Sequence, residues 1–140
     1  MKLKIYDKKT CSFRGHNIGV RSMNISRTNG TCMFSSTLQS ELKIKVGQSV
    51  QIAQDEESKN DWYISFSESP TGFIIREKKN GGYAKNCMNT MYFINKAIAN
   101  KMLDFIKASK SATMLIGEKP IKVDGMDWYK IVTSKPLRIN

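Results

Sequence analysis

Apolar and polar positions alternate along much of this chain, and the alternation breaks at turn-forming residues. Ile18, Val20, Met23 and Ile25 predict a strand over 18–25, and Thr31–Phe34 predicts a second strand paired back on it. Thr28-Asn29-Gly30 supplies the turn between them. Ser36 followed by Gln39 has the spacing of a capping box, and Leu38 and Leu42 lie one helical turn apart. A short helix is therefore expected over 36–43. Val50 and Ile52 alternate with Ser49 and Gln51, as in a half-buried strand. Trp62, Ile64 and Phe66 alternate with Tyr63, Ser65 and Ser67, and Phe73–Lys78 follows across the turn Ser69-Pro70-Thr71-Gly72. Met91, Ile94, Ile98, Met102 and Phe105 recur at spacings of three and four, which predicts a long helix over 90–107. Met114–Ile116, Ile121–Val123 and Trp128–Thr133 then read as a closing antiparallel hairpin turned at Asp124-Gly125.

These elements predict an α+β fold: an antiparallel sheet with one short and one long helix and a C-terminal hairpin, in one domain over 1–140. Within it, 19–52 forms a strand-helix-turn-strand unit, 61–108 adds sheet and the long helix, and 112–134 forms the hairpin. Asp61-Trp62-Tyr63-Ile64 is echoed by Asp127-Trp128-Tyr129-Lys130-Ile131. Strand alternation places Tyr63 and Tyr129 opposite buried Trp62 and Trp128, either on an open sheet face or on the second core face of a sandwich.

Charge changes the picture most. The chain carries 23 Lys and Arg against 12 Asp and Glu, a net charge of +11. Residues 1–54 hold nine basic and two acidic residues, 55–77 two and six, and 78–140 twelve and four. Basic flanks thus enclose an acidic middle. A field of this size draws polyanions, and the acidic stretch at 55–61 should face away from them. A nucleic-acid partner is expected, DNA ahead of RNA, either as duplex on basic loops or as single strand on a sheet face. Arg14, Arg21 and Arg27 surround the first hairpin, where guanidinium forks suit phosphate or guanine. Arg76, Lys78, Lys79, Tyr83 and Lys85 surround Gly81-Gly82, a mix of cations, glycine and an aromatic that can follow a phosphate backbone. Tyr63 and Tyr129 complete the set as stacking platforms. The alternative is a protein-interaction module, with the charge serving solubility or an acidic partner.

Signals for catalysis are sparse. His16 is the one histidine, Cys11, Cys32 and Cys87 form no CxxC pair, and the phosphate-loop, dinucleotide, nucleophile-elbow and zinc-protease patterns do not occur. No catalytic residue, metal or cofactor is assigned. The amino-terminal Met1-Lys2-Leu3-Lys4-Ile5-Tyr6 lacks the apolar core of a secretory signal, and no run approaches membrane-spanning length. A cytoplasmic protein that does not engage a membrane is expected.

Residues 19–52 resemble the AbrB-like swapped-hairpin DNA-binding family. The likeness rests on Gly19-Val20-Arg21, on Asn29-Gly30-Thr31-Cys32-Met33-Phe34, on Ser35–Ile44 with Leu38, Leu42 and Ile44, and on Lys45-Val46-Gly47-Gln48-Ser49-Val50-Gln51-Ile52. It implies a homodimer of interleaved hairpins that binds DNA through arginines on the hairpin loops. Arg21 carries over as a DNA contact. Thr31 stands where the family usually has arginine and Ser35 where it usually has proline, while 90–133 lie beyond the likeness.

Overall fold

The computed structural model describes residues 2–3, 20–79 and 89–140. Among them the chain forms β1 (Ser22–Ser26), β2 (Thr31–Phe34), α1 (Ser36–Leu42), β3 (Ser49–Gln54), β4 (Trp62–Ser67), β5 (Phe73–Ile74) and β6 (Arg76–Lys78). There follow β7 (Thr90–Ile94), α2 (Lys96–Phe105), β8 (Ser111–Ile116), β9 (Ile121–Val123), β10 (Met126–Val132) and β11 (Arg138–Ile139). This is the expected α+β class, and every strand pairing is antiparallel. The described residues contain no helix long and apolar enough to cross a membrane.

The helices are set by their caps. Ser35, one residue before the expected cap, has extended backbone and its hydroxyl accepts from the Leu38 amide. Gln39 completes no capping box, because its side-chain amide donates to the Phe34 carbonyl instead. The expected long helix is shorter at its start. Thr90–Ile94 is strand β7, and Asn95 opens the helix by accepting from the Ile98 amide. Thr-Met-Tyr-Phe-Ile is β-branched and aromatic, a composition that favours strand, and the helical spacing of Met91 and Ile94 is fortuitous.

The strands run in the order β5-β3-β4-β10-β8-β1-β2-β7-β6, with β9 against β10 and β11 against β8. The two ends of this series meet. β5 pairs with β3 and β6 with β7, and only Ile75 separates β5 from β6. Ile75 itself exchanges backbone hydrogen bonds with Gly47 and Gln48 ahead of β3. The run Phe73–Lys78 thus closes the sheet into a barrel-like ring and removes its two edges.

The ring has an internal two-fold pattern. Exchanging β1, β2, β3 and β4 with β5–β6, β7, β8 and β10 returns the same set of neighbours. Each half reads strand-strand-helix-strand-strand, with β9 inserted before the last strand of the second. β2–β7 and β4–β10 are the two pairings that this exchange returns to themselves, and they lie on opposite sides of the ring.

The core fills the inside. Met23, Ile25, Cys32, Phe34, Ile64 and Met114 point inward from the strands. Ala99, Met102 and Leu103 add the apolar face of α2, and Phe105 meets Trp62 edge to face at 5.5 Å.

Candidate nucleic-acid interface

Directly paired residues of neighbouring strands share a face. Asn24 pairs with Met33, Met33 with Tyr92 and Tyr92 with Arg76. Their chain neighbours Ile25, Cys32 and Phe93 are in the core, so this row faces outward. Lys78 pairs with Thr90 one step along, on the same outer face as Arg76. Arg76 and Lys78 are exposed, Tyr92 is half-buried, and Met33 and Ile94 are exposed apolar residues beside them. The β2–β7–β6 wall therefore joins two cations roughly 7 Å apart along one strand to an aromatic ring and an apolar floor. Tyr92 was not singled out by its sequence, because the misplaced helix start hid its strand register.

The other expected contacts scatter. Lys79 is exposed at the end of β6. Arg14, Tyr83 and Lys85 lie outside the described residues, as do His16, Cys11 and Cys87. Arg21 is nearly buried. One guanidinium nitrogen donates to the Gly117 carbonyl at 2.8 Å and another to Glu41 at 3.3 Å, and the group sits 5.4 Å from the Tyr129 ring centre. Arg27 is equally engaged. It donates to the Ala108 and Ser109 carbonyls at 2.9 Å, to Asn100 at 3.2 Å and to Asp104 at 2.8 Å. That set fastens the end of α2 to the first hairpin. Both arginines thus hold the fold together with the planar fork that lysine lacks.

The tyrosines part company. Trp62 is buried and Tyr63 faces out, as expected, but the echo does not hold in β10. Ile64 and Ile131 both point inward and are fully buried. Lys130 adds one residue between the Trp-Tyr pair and that isoleucine, and one residue of shift reverses every preceding side chain. Tyr129 consequently packs against the core and Trp128 turns outward. Burial is the main cause pushing the Tyr129 hydroxyl pKa up; Asp127 adds to it and Arg21 opposes it.

Trp128 and Tyr63 line a groove of about 400 Å³ on the β4–β10 side, the far side of the ring from β2–β7. Asp55 and Asp124 also line it. The acidic loop leaves β3 at the end away from its pairing with β5.

No match to known proteins is found. No family model fits the chain, and no curated protein and no solved structure is similar to it. Among the described residues, no group of three His, Cys, Asp or Glu side chains comes together as a metal site.

Cys32 lies in the core, and burial pushes its thiol up from 9.0 to about 12. At neutral pH it is protonated and is no nucleophile. A folded-state pKa raised above its unfolded value gives stability that is complete below pH 9 and is lost as pH rises toward 12. In a Cys11→Ser/Cys87→Ser background, the unfolding free energy should fall across this window by up to about 1.4 kcal/mol per pH unit. Replacing Cys32 by alanine should remove that share of the slope in urea titrations at pH 8, 9.5 and 11. An unchanged slope would show that Cys32 does not carry it.

Proposed function

We propose that this chain binds nucleic acid, DNA rather than RNA, without catalysing a reaction, and that the outer β2–β7–β6 wall is the binding face. The observation that carries the reading is the placement of Tyr92 between Met33 and Arg76, with Lys78 beside them. Cations on the wall attract phosphates, and an accessible ring on a sheet face offers a base its π-surface. The net charge of +11 supplies the steering field. Single-stranded DNA fits this wall better than duplex, because the hairpin arginines Arg21 and Arg27 are committed to hydrogen bonds within the chain. The swapped-hairpin likeness of 19–52 supports the same reading, and the homodimer it implies is part of the proposal.

The test is fluorescence anisotropy with labelled single-stranded and duplex DNA across a salt series. Single-stranded binding should weaken with salt at a slope of about −0.7 per phosphate neutralised, and Arg76→Ala/Lys78→Ala should make the slope shallower by about 1.4. Tyr92→Ala should cost about 1–3 kcal/mol of affinity with little change in slope. Absence of binding to either DNA form at low salt would refute the reading. An unaltered slope in the double variant would move the interface elsewhere.

A further inference from the structure

The β4–β10 groove has the opposite character to the rest of the molecule. Its apolar surface comes from Ala53 at the end of β3, from Ile121 and Val123 on β9, and from Met126 on β10. Ile121 and Val123 are each 50% exposed, and they pair with Trp128 and Met126, so all four stand on one outer face. Tyr63 adds a second aromatic surface. The charges lining the groove are Asp55, where β3 ends, and Asp124, in the β9–β10 turn, while Lys130, paired with Tyr63 on the same face, is held by Asp61 at 3.3 Å. The exposed Glu56 and Glu57 adjoin the first of these.

A solvated acidic loop does not account for this arrangement, because solvation requires no apolar trough beside the carboxylates. A ligand site of this kind is concave, mostly apolar and polar at a few points, and about 400 Å³ is enough for one or two side chains. The carboxylates exclude phosphate. They select a cation, and the rings of Trp128 and Tyr63 favour the same charge through their faces. In a chain of net charge +11, this is a locally acidic apolar surface that a basic partner could approach.

From this charge complementarity we infer that the groove docks a partner protein through an extended segment in which lysine or arginine alternates with apolar residues. The apolar side chains enter the trough over Ile121, Val123 and Met126, and the cations meet Asp55 and Asp124. The strand edge of β9 is a poorer landing place, since Lys119 and Pro120 precede it and Lys122 lies within it. Because the groove and the Arg76–Lys78 wall lie on opposite sides of the ring, the chain can hold a basic segment and a polyanion together.

The experiment titrates full-length protein into a fluorescein-labelled Lys-Leu-Lys-Leu-Lys-Leu peptide and its Glu-Leu-Glu-Leu-Glu-Leu counterpart, followed by anisotropy. The basic peptide should bind and the acidic one should not. Asp55→Asn/Asp124→Asn keeps residues that suit both turns and should weaken binding roughly tenfold, two ion pairs of the surface kind. Val123→Ser, on an exposed position, should weaken it through the lost apolar contact. Arg76→Ala/Lys78→Ala should leave peptide binding intact, which separates this result from the nucleic-acid reading. Equal binding of both peptides, or unchanged binding by the asparagine variant, would overturn the inference. So would sedimentation showing self-association that the asparagine variant abolishes, since the groove would then belong to a second copy of the chain.

Discussion

Replacing Gly30 by alanine is expected to destabilise the protein by about 3 kcal/mol or more, read as a lower urea midpoint. Two costs combine. Gly30 has φ +69°, in the left-handed region that a side chain makes unfavourable by about 1–2 kcal/mol. A Cβ there would also lie 2.6 Å from the Lys96 nitrogen, 2.7 Å from its Cα and 2.9 Å from the Asn95 carbonyl carbon. All three are backbone atoms, so no side-chain rotation relieves the overlap. The first hairpin would have to part from the start of α2, where the Asn95 amide donates to the Gly30 carbonyl at 2.9 Å. Gly125 separates the two costs. It has φ +81°, and nothing lies within 4 Å of its Cβ position. Gly125→Ala should therefore cost only about 1 kcal/mol. Equal losses in the two variants would mean that the hairpin does not press on the helix.

The same contact shows why some of this fold was legible and some was not. The Asn29-Gly30 turn, the short helix and the β3 and β4 strands follow from local alternation and turn chemistry, and the structure has them close to the expected bounds. The start of α2 was not legible from periodicity. Met91 and Ile94 fit a helical spacing, yet Asn95 is both the helix cap and the hydrogen-bond partner of Gly30, a contact that links residues far apart in sequence. Ring closure by Phe73–Lys78 is likewise non-local: the run reads as one strand, and only tertiary pairing divides it between β3 and β7.

The candidate site divides along the same line. Arg76 and Lys78 were named from charge and stand exposed on one outer wall. Their aromatic neighbour Tyr92 needed the cross-strand register, which no local pattern contains. Arg21 and Arg27 illustrate the converse. Their charge suggested a ligand, while the Gly117, Ala108 and Ser109 carbonyls that accept from them are visible only in the folded chain. The groove had a signal in the sequence, the acidic stretch at 55–61 and the exposed hairpin at 121–126. The single added residue Lys130, which turns Trp128 outward, was the missing step.

Phe93→Ala is expected to cost about 3–5 kcal/mol, the range for emptying an aromatic site in a packed core. Phe93 is fully buried and joins the closing segment to the opposite strands. Its ring stacks on Phe73 at 5.1 Å and lies 5.9 Å from Phe34, which meets Phe66 edge to face at 5.4 Å. These four rings link β5, β7, β2 and β4 through the interior, so the cavity would open at the seam of the ring. Phe93→Leu should lose less, because part of the volume remains. Tyr92, one residue earlier, points the other way. Tyr92→Ala should leave stability nearly unchanged, within about 1 kcal/mol, while weakening single-stranded DNA binding. Urea unfolding and DNA titration of the two alanine variants therefore divide one strand into a structural and a functional face. A loss below about 1 kcal/mol in Phe93→Ala would mean that the seam does not depend on this aromatic chain. A similar stability loss in Tyr92→Ala would make Tyr92 part of the packing and remove the observation on which the nucleic-acid face rests.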